Sequence, residues 1–313
     1  MNLMYDKAVL KALENLNLER IYLTESSAYR NGQRLERFKK AFPKHIFSFV
    51  LKYLRNKEIK KKVDSISNYI PPENVKYADP APEGLTGVAY TCITDGYDVP
   101  KNPLYIDPCL DYILFTNSST DDLEKTNIWK SRMIDKVAVS PQNNSANRFY
   151  KFHPFELFHE YNFSIYIDGN VQLISDTSSL FAVARNSKSG IAMHRHATMN
   201  CAYKNALWCE YNHRGNISAI RKQTEKYHKE GFPEDFGLLE ATIIVVDLHN
   251  ENARKIMDEW WKEFCITGGG RDQISLPYVL WKNGYSIDDI GNLGNDEYHN
   301  PKFRIVAHKG DLF

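Results

Sequence analysis

Short runs of β-forming residues that break off at polar turns constrain this chain more than any other feature. "GVAYTCITDGYD" predicts a strand over residues 88–93, "LDYILFTNSS" one over 112–115, and "YNFSIYIDGN" a third that stops at an acid, a glycine and an amide. "GLLEATIIVVDL" carries a longer strand through residues 242–246. Helical patterns alternate with these runs. "ENARKIMDEWWKEFC" sets Ala253, Ile256, Met257, Trp260 and Trp261 on one helix face, whereas "SLFAVAR" and "GIAMHRH" are apolar runs of undecided type. Mixed elements in this order predict an α/β domain of three layers around a mainly parallel, mixed sheet.

The third run is short and apolar enough for a buried parallel strand. In open α/β sheets ligands gather at the carboxyl ends of strands, so Asp168, Gly169 and Asn170 stand where an acid can meet a ligand. The plainer reading is an Asp-Gly turn that merely closes the strand. Asp168 and Asn170, two residues apart, are also able to face one divalent ion whose other ligands are phosphate oxygens and water. His308, before Lys309 and Gly310, and His194 and His196 in "MHRH" are candidate further ligands, each equally at home as a structural histidine.

With 313 residues the chain can bury a sizeable core. A formal net charge of +1 argues against a dedicated nucleic-acid binder. Five cysteines without C-x-x-C spacing indicate neither a zinc ribbon nor a disulfide scaffold, and fit a cytoplasmic setting. The start lacks a basic segment followed by a long apolar one, and no stretch is apolar enough to span a bilayer. Residues 1–80 read as a helical, basic region and linker, and residues 81–313 as the main domain. Cations crowd residues 30–62, where "HIFSFVLKYL" has the apolar and basic mixture of a helix lying on an anionic membrane surface, or of one packed on a partner with its basic face solvated.

Other residues carry candidate chemistry. Tyr90, Thr91 and Asp95 at the first strand's end form an aromatic and hydroxyl set for a nucleobase and ribose, or an ordinary strand end. Neither a G-x-G-x-x-G nor a P-loop is present. Arg148, Lys151 and His153 precede Asp168 and would neutralise a diphosphate leaving group, unless they are surface cations of a helix. Glu240 is an acid within an apolar strand and must pair, protonate or face a cleft. Asp272, between Arg271 and Gln273 after "TGGG", reads as a helix cap or as an acid on a mobile loop.

"SIYIDGN", preceded by "RFYKFHPFELF" and followed by "EGFPEDFGLLEATIIVVDLHN", "WW" and "RDQISLPYVLW", resembles the glycosyltransferase-like family once catalogued as domain of unknown function 616. Its members are linked to plant mucilage and cell-wall polysaccharides and to bacterial surface-polysaccharide loci. The resemblance spans roughly residues 88–280 and implies a GT-A-like fold. It also implies that Asp168, Gly169 and Asn170 replace the D-x-D that holds Mn²⁺ or Mg²⁺ on the donor diphosphate, with Asn170 in place of the second acid. By the same likeness Tyr90, Thr91 and Asp95 face the nucleotide, Arg148, Lys151 and His153 the diphosphate side, and His308 the metal. The expected activity is transfer of a hexose from a nucleotide sugar, UDP-linked, to a glycan or lipid-linked acceptor. Arg271 and Gln273 are expected at the donor, and Asp272 or Glu240 as the acid that deprotonates the acceptor hydroxyl. A peripheral position at the inner membrane face fits the basic region. A metal-dependent hydrolase and a non-catalytic nucleotide-sugar or glycan-binding module are the alternatives.

Overall fold

The computed structural model describes residues 3–41, 84–118, 128–134, 146–268, 270–294 and 296–308. Two helices come first, α1 (Leu3–Glu25) and α2 (Ser27–Ala41). The run at 45–54 and the expected boundary near residue 80 lie outside the described residues. α1 rests on the C-terminal part of the chain. Its Asn17 amide donates to the carbonyls of Pro301 (2.9 Å) and Phe303 (2.8 Å), and Glu14 accepts from Ser175 Oγ (2.7 Å) and Lys302 Nζ (2.8 Å).

The main domain contains β1 (Gly87–Ile93), β2 (Leu110–Thr116), β3 (Lys130–Met133), α3 (Ala146–Phe152), α4 (Pro154–Leu157), β4 (Phe163–Ile167) and β5 (Val171–Leu173). After these come α5 (Leu180–Arg185), β6 (Ile191–Arg195), α6 (Ala202–Tyr211), α7 (Ile217–Glu230) and β7 (Leu239–Asp247). The last are α8 (Glu251–Ile266), α9 (Asp272–Lys282), β8 (Gly291–Asn292) and β9 (Phe303–Ile305). Seven strands form one sheet in the order β3-β2-β1-β4-β7-β6-β8. All adjacent pairs run parallel except those of β7, which lies antiparallel to both β4 and β6. The mainly parallel, mixed sheet expected from the sequence is therefore the one observed.

Strand alternation distributes the core over two faces. Val88, Tyr90 and Cys92 of β1 join Trp260 of α8 and Leu276 of α9 in one cluster, while Ala89 and Ile93 join Leu180 and Phe181 of α5 in another. That is the physical content of three layers: a sheet buried on both sides needs apolar residues at both parities, which is why β1 reads as an apolar run interrupted by Thr91 alone. α8 starts where Asn250 caps it, its side chain accepting from the backbone of Asn252 and Ala253, and it buries Ala253, Ile256, Met257 and Trp260.

From β1 the chain proceeds outward through β2 and β3, then returns to place β4 on the other side of β1. The carboxyl ends of β1 and β4 therefore flank a topological switch point, where open α/β sheets form a ligand crevice. The separate pair of β5 with β9 brings the chain's C-terminal segment to the same edge.

Candidate active site

Three segments converge at the switch point: the loop after β1, the turn after β4 and the segment after β9. Gly169 is what lets the first two meet. A Cβ there would stand 2.8 Å from Ile93 Cγ1 and 3.2 Å from Asp98 Cβ, so the glycine of "DGN" serves close approach rather than turn geometry alone. Asn170 ties in the third segment. Its carbonyl accepts from Val306 N (2.9 Å) and its side-chain amide donates to the Val306 carbonyl (3.0 Å). Two residues on, His308 donates from Nδ1 to Asp98 Oδ2 at 2.9 Å.

Asp168 leaves the end of β4 with its backbone N–H bonded to the Thr242 carbonyl (2.9 Å) and its Oδ1 accepting from the Tyr166 hydroxyl (2.9 Å). Thr242 belongs to an irregular stretch of β7. The register against β6 shifts between Met193 and His194, whose partners on β7 are Ile244 and Glu240. Bulges of this kind re-aim side chains beside functional sites. Here the irregularity brings Glu240 and Thr242 to the region of Asp168.

Glu240 has a particular set of neighbours. Its Oε2 accepts from Gln273 Nε2 (2.7 Å), Gln273 Oε1 accepts from Arg271 Nη2 (3.0 Å), and His196 Nε2 lies 3.5 Å from Glu240 Oε1. Burial pushes its carboxyl up to about 7, against the pull of Arg271 and Gln273 and with help from Asp296 and Asp168. Burial likewise raises Glu297 to about 8, with Glu240 adding to it and a hydrogen bond involving Thr242 opposing it.

Asp272 has the opposite environment. It is the first residue of α9, with Arg271 rather than itself in the cap position. Its Oδ2 meets Lys151 Nζ at 2.8 Å and Arg148 Nε at 3.0 Å. Burial works to raise its pKa, yet Arg148, Lys151 and Arg271 together hold it far below the usual carboxylate range. Arg148, in turn, stays charged despite burial because Asp272 and Asp168 favour its cationic form. The cations expected at a diphosphate thus stand beside an acid, and Arg148 also feels Asp168.

Other expected site residues are more scattered. Tyr90 is a core residue packed on Phe158 and Tyr166, with its hydroxyl donating to the Lys151 carbonyl at 3.3 Å. Thr91 is buried with its hydroxyl unpartnered. Asp95 occupies a left-handed turn (φ 55°), exchanging hydrogen bonds with Asn117. His153 stacks on Phe149 (4.1 Å between ring centroids) and donates to the Phe149 carbonyl, in an aromatic cluster with Trp261. His194 is fully buried against Asn300, its pKa pulled down by burial to about 3, and burial followed by Arg271 brings His196 to about 4. Both imidazoles are neutral at pH 7.

Three residues that the sequence reading passed over belong here. Asp98 was visible only as the last letter of "TDGYD", Tyr166 as a strand residue, and Glu297 in "NDEYHN" carried no periodic signal at all.

Among the described residues no three His, Cys, Asp or Glu side chains form a ready metal-ligand group. The donor chemistry at the switch point nevertheless suits a hard cation held in part by a ligand's oxygens. Asp98 takes the Nδ1 proton of His308, the outer-shell arrangement that leaves Nε2 of a histidine for a metal.

A family model described as "TOD1/MUCI70, glycosyltransferase-like domain" matches residues 88–293. No curated protein sequence matches the chain. Solved structures matched by the chain include the apo form of WbbM, a bifunctional glycosyltransferase (12% identity, TM-score 0.38), which covers 67% of this chain while the chain covers only 39% of it. They also include the mannosyltransferase Ktr4p from S. cerevisiae (12% identity, TM-score 0.35, 72% of this chain and 75% of that one). A third is the galactosyltransferase LgtC in complex with donor and acceptor sugar analogues (11% identity, TM-score 0.38, 64% and 72%).

Proposed function

Since the chain belongs to the TOD1/MUCI70 glycosyltransferase-like domain family, we propose that it transfers a hexose from a UDP-sugar to a glycan or lipid-linked acceptor in the synthesis of a bacterial surface polysaccharide. The observation that carries this reading is the meeting of Asp168, Gly169 and Asn170 with Asp98 and His308 at the switch point of the sheet. Asp168, Asn170 and His308 would hold Mn²⁺ or Mg²⁺ there. Such an ion, when bound, offsets the charge of the donor diphosphate.

The chain's own residues supply the rest. Arg148 and Lys151 add fixed positive charge near Asp168, and Asp272 holds both cations in place. Glu240 takes the proton of the acceptor hydroxyl. Its environment sets its pKa close to neutrality, where a general base works best, whereas Asp272 is too strongly held as an anion to accept a proton. Arg271 and Gln273 orient Glu240 and face the donor. No helix among the described residues is long and apolar enough to cross a membrane. The basic 30–62 region would bring the enzyme to an anionic membrane surface and a lipid-linked acceptor.

Calorimetric titration of UDP, GDP, CMP and their hexose conjugates, with and without Mn²⁺, tests the reading on wild type and Asp168→Ala. A Mn²⁺-dependent UDP-hexose signal, weakened at least about tenfold in the variant, is expected. Absence of nucleotide binding under every condition would overturn the proposal.

A further inference from the structure

The stretch 296–308 reaches the candidate site from both of its ends. In its first half Asn300 donates from Nδ2 to His194 Nε2 (2.8 Å) and to the Leu293 carbonyl (3.0 Å), and His194 is the strand partner of Glu240. Asp296 and Glu297 lie near enough to Glu240 for their charges to act on it. In its last residues Val306 bonds Asn170 through both its N–H and its carbonyl, and His308 donates to Asp98 (2.9 Å). One strap of chain therefore serves Glu240 and the strand end of Asp168 together.

Between those two places the strap is held by α1. The Asn17 side chain, only 5% exposed, donates to two carbonyls at once, those of Pro301 (2.9 Å) and Phe303 (2.8 Å). A carboxamide has the two N–H donors that such a pair requires, and without it both carbonyls would lose a buried partner. Glu14 accepts from Lys302 Nζ (2.8 Å), which also donates to the Asp176 carbonyl (2.7 Å). At the end of the helix Glu25 Oε1 meets His299 Nε2 at 2.5 Å, and His299 Nδ1 meets Asp296 Oδ2 at 2.6 Å. Glu14, Asn17, the buried Ile21 and Glu25 follow helical spacing, so one face of α1 makes the whole grip. Both α1 and the strap lie outside residues 88–293, which the family model matches.

We propose that α1 is a working part of the site: Asn17, with Glu14 and Glu25 beside it, positions the strap and thereby places Asp296 and Glu297 at Glu240 and Val306 and His308 at Asn170 and Asp98. Asn17 is a positioning residue, acting on the site only through the strap. Its effect on donor binding rests on the glycosyltransferase reading, whereas its effect on the strap does not.

The test uses the full chain with Asn17→Leu, which keeps the side-chain bulk and favours helix, and with Glu14→Gln, a milder change that carries the same test if the first variant does not fold. Phe181→Leu is the control. Its ring stacks on Phe163 (4.5 Å between centroids) at the amino end of β4, so the change lowers stability away from the strap. Backbone hydrogen exchange of residues 300–308 is followed by mass spectrometry without ligand, and calorimetry follows UDP-glucose and UDP-galactose with and without Mn²⁺. In Asn17→Leu, exchange over residues 303–308 is expected to quicken about tenfold and UDP-hexose affinity in Mn²⁺ to fall about tenfold. Glu14→Gln should move both in the same direction by about threefold. Phe181→Leu should unfold at a lower temperature with both readouts at wild-type values.

Four results count against the proposal. Exchange that quickens in α1 alone, with residues 303–308 as slow as in the wild type, would remove the positioning role. Faster exchange with unchanged UDP-hexose affinity would uncouple the strap from the site and leave the glycosyltransferase reading intact. Equal losses in Asn17→Leu and Phe181→Leu would reduce Asn17 to general stability. Failure of the wild type to bind any of these nucleotide sugars would remove the glycosyltransferase reading and, with it, the site that α1 is held to serve.

Discussion

Two acids, the buried Asp272 and the half-buried Glu240, lie close to the same strand ends and are held in opposite ways. Asp272 is gripped by Lys151 at 2.8 Å and Arg148 at 3.0 Å, whereas Glu240 has a neutral amide at 2.7 Å and feels Arg271 on one side and the carboxylates of Asp296 and Asp168 on the other. Both lose solvation, and the neighbours decide the result: full ionisation in one case, a pKa near 7 in the other. The difference teaches that the sequence position of an acid, at a helix start or within a strand, says little about its chemistry. What matters is which charges the fold brings to it from afar. Lys151 lies 121 residues from Asp272 along the chain, and Gln273 lies 33 from Glu240.

The largest effect expected from this contrast is on stability. Asp272→Ala leaves the buried Lys151 and the half-buried Arg148 without this counter-charge, and should cost about 3–5 kcal/mol in a denaturant titration at pH 7. The sign with pH follows from the depressed carboxyl. Its contribution is fully present above the ordinary carboxylate range and is lost only as pH falls well below it, so the wild type and the variant should converge only in strong acid. A loss under about 1 kcal/mol would break the comparison, because Asp272 would then not be the clamp for these cations.

Next comes Glu240→Gln, which preserves shape and removes the proton acceptor. Transfer should fall about 100-fold or more. The wild-type rate should climb through about pH 7 as Glu240 ionises, and the variant should stay low and flat. Stability responds in the reverse sense. A carboxyl whose folded pKa is raised favours the fold below its ordinary range and loses that advantage as pH rises through about 7, and the Gln variant should lack this slope. If the rate profile survives in Glu240→Gln, the base lies elsewhere.

The sheet was readable because its strands are short apolar runs with polar stops. β1, β2, β4 and β7 lie where the alternation and turn residues placed them, and α8 follows its apolar face and Asn cap. β3 was not readable. All four of its residues are exposed, so no apolar signal marks it, and β8 is only two residues long. "SLFAVAR" and "GIAMHRH" proved to be α5 and β6, a distinction that short apolar runs do not encode locally. For the site, "DGN" announced itself through composition, but its partners did not. Asp98 is assigned to it by a contact with His308, 210 residues away, and Glu297 by a hydrogen bond with Thr242 of β7. Tyr90 shows the converse. Its residue type suggested a nucleobase, while strand parity turned it toward the α8 face.

The smallest effect concerns the side chain that joins the two regions. Tyr166 sits with Lys151 Nζ 5.2 Å from its ring centroid on the clamp side and donates its hydroxyl to Asp168 Oδ1 at 2.9 Å on the site side. Tyr166→Phe retains the ring, and with it the packing on Tyr90 and the cation above it. Only the hydroxyl is lost, worth about 1 kcal/mol. Since that hydroxyl steadies Asp168 rather than Asp272, the variant should unfold within about 1 kcal/mol of the wild type while its UDP-hexose affinity in Mn²⁺ declines a few-fold. A loss of stability approaching that of Asp272→Ala would mean that clamp and site are one cooperative unit, and the contrast between the two acids would then describe one network seen from its two ends.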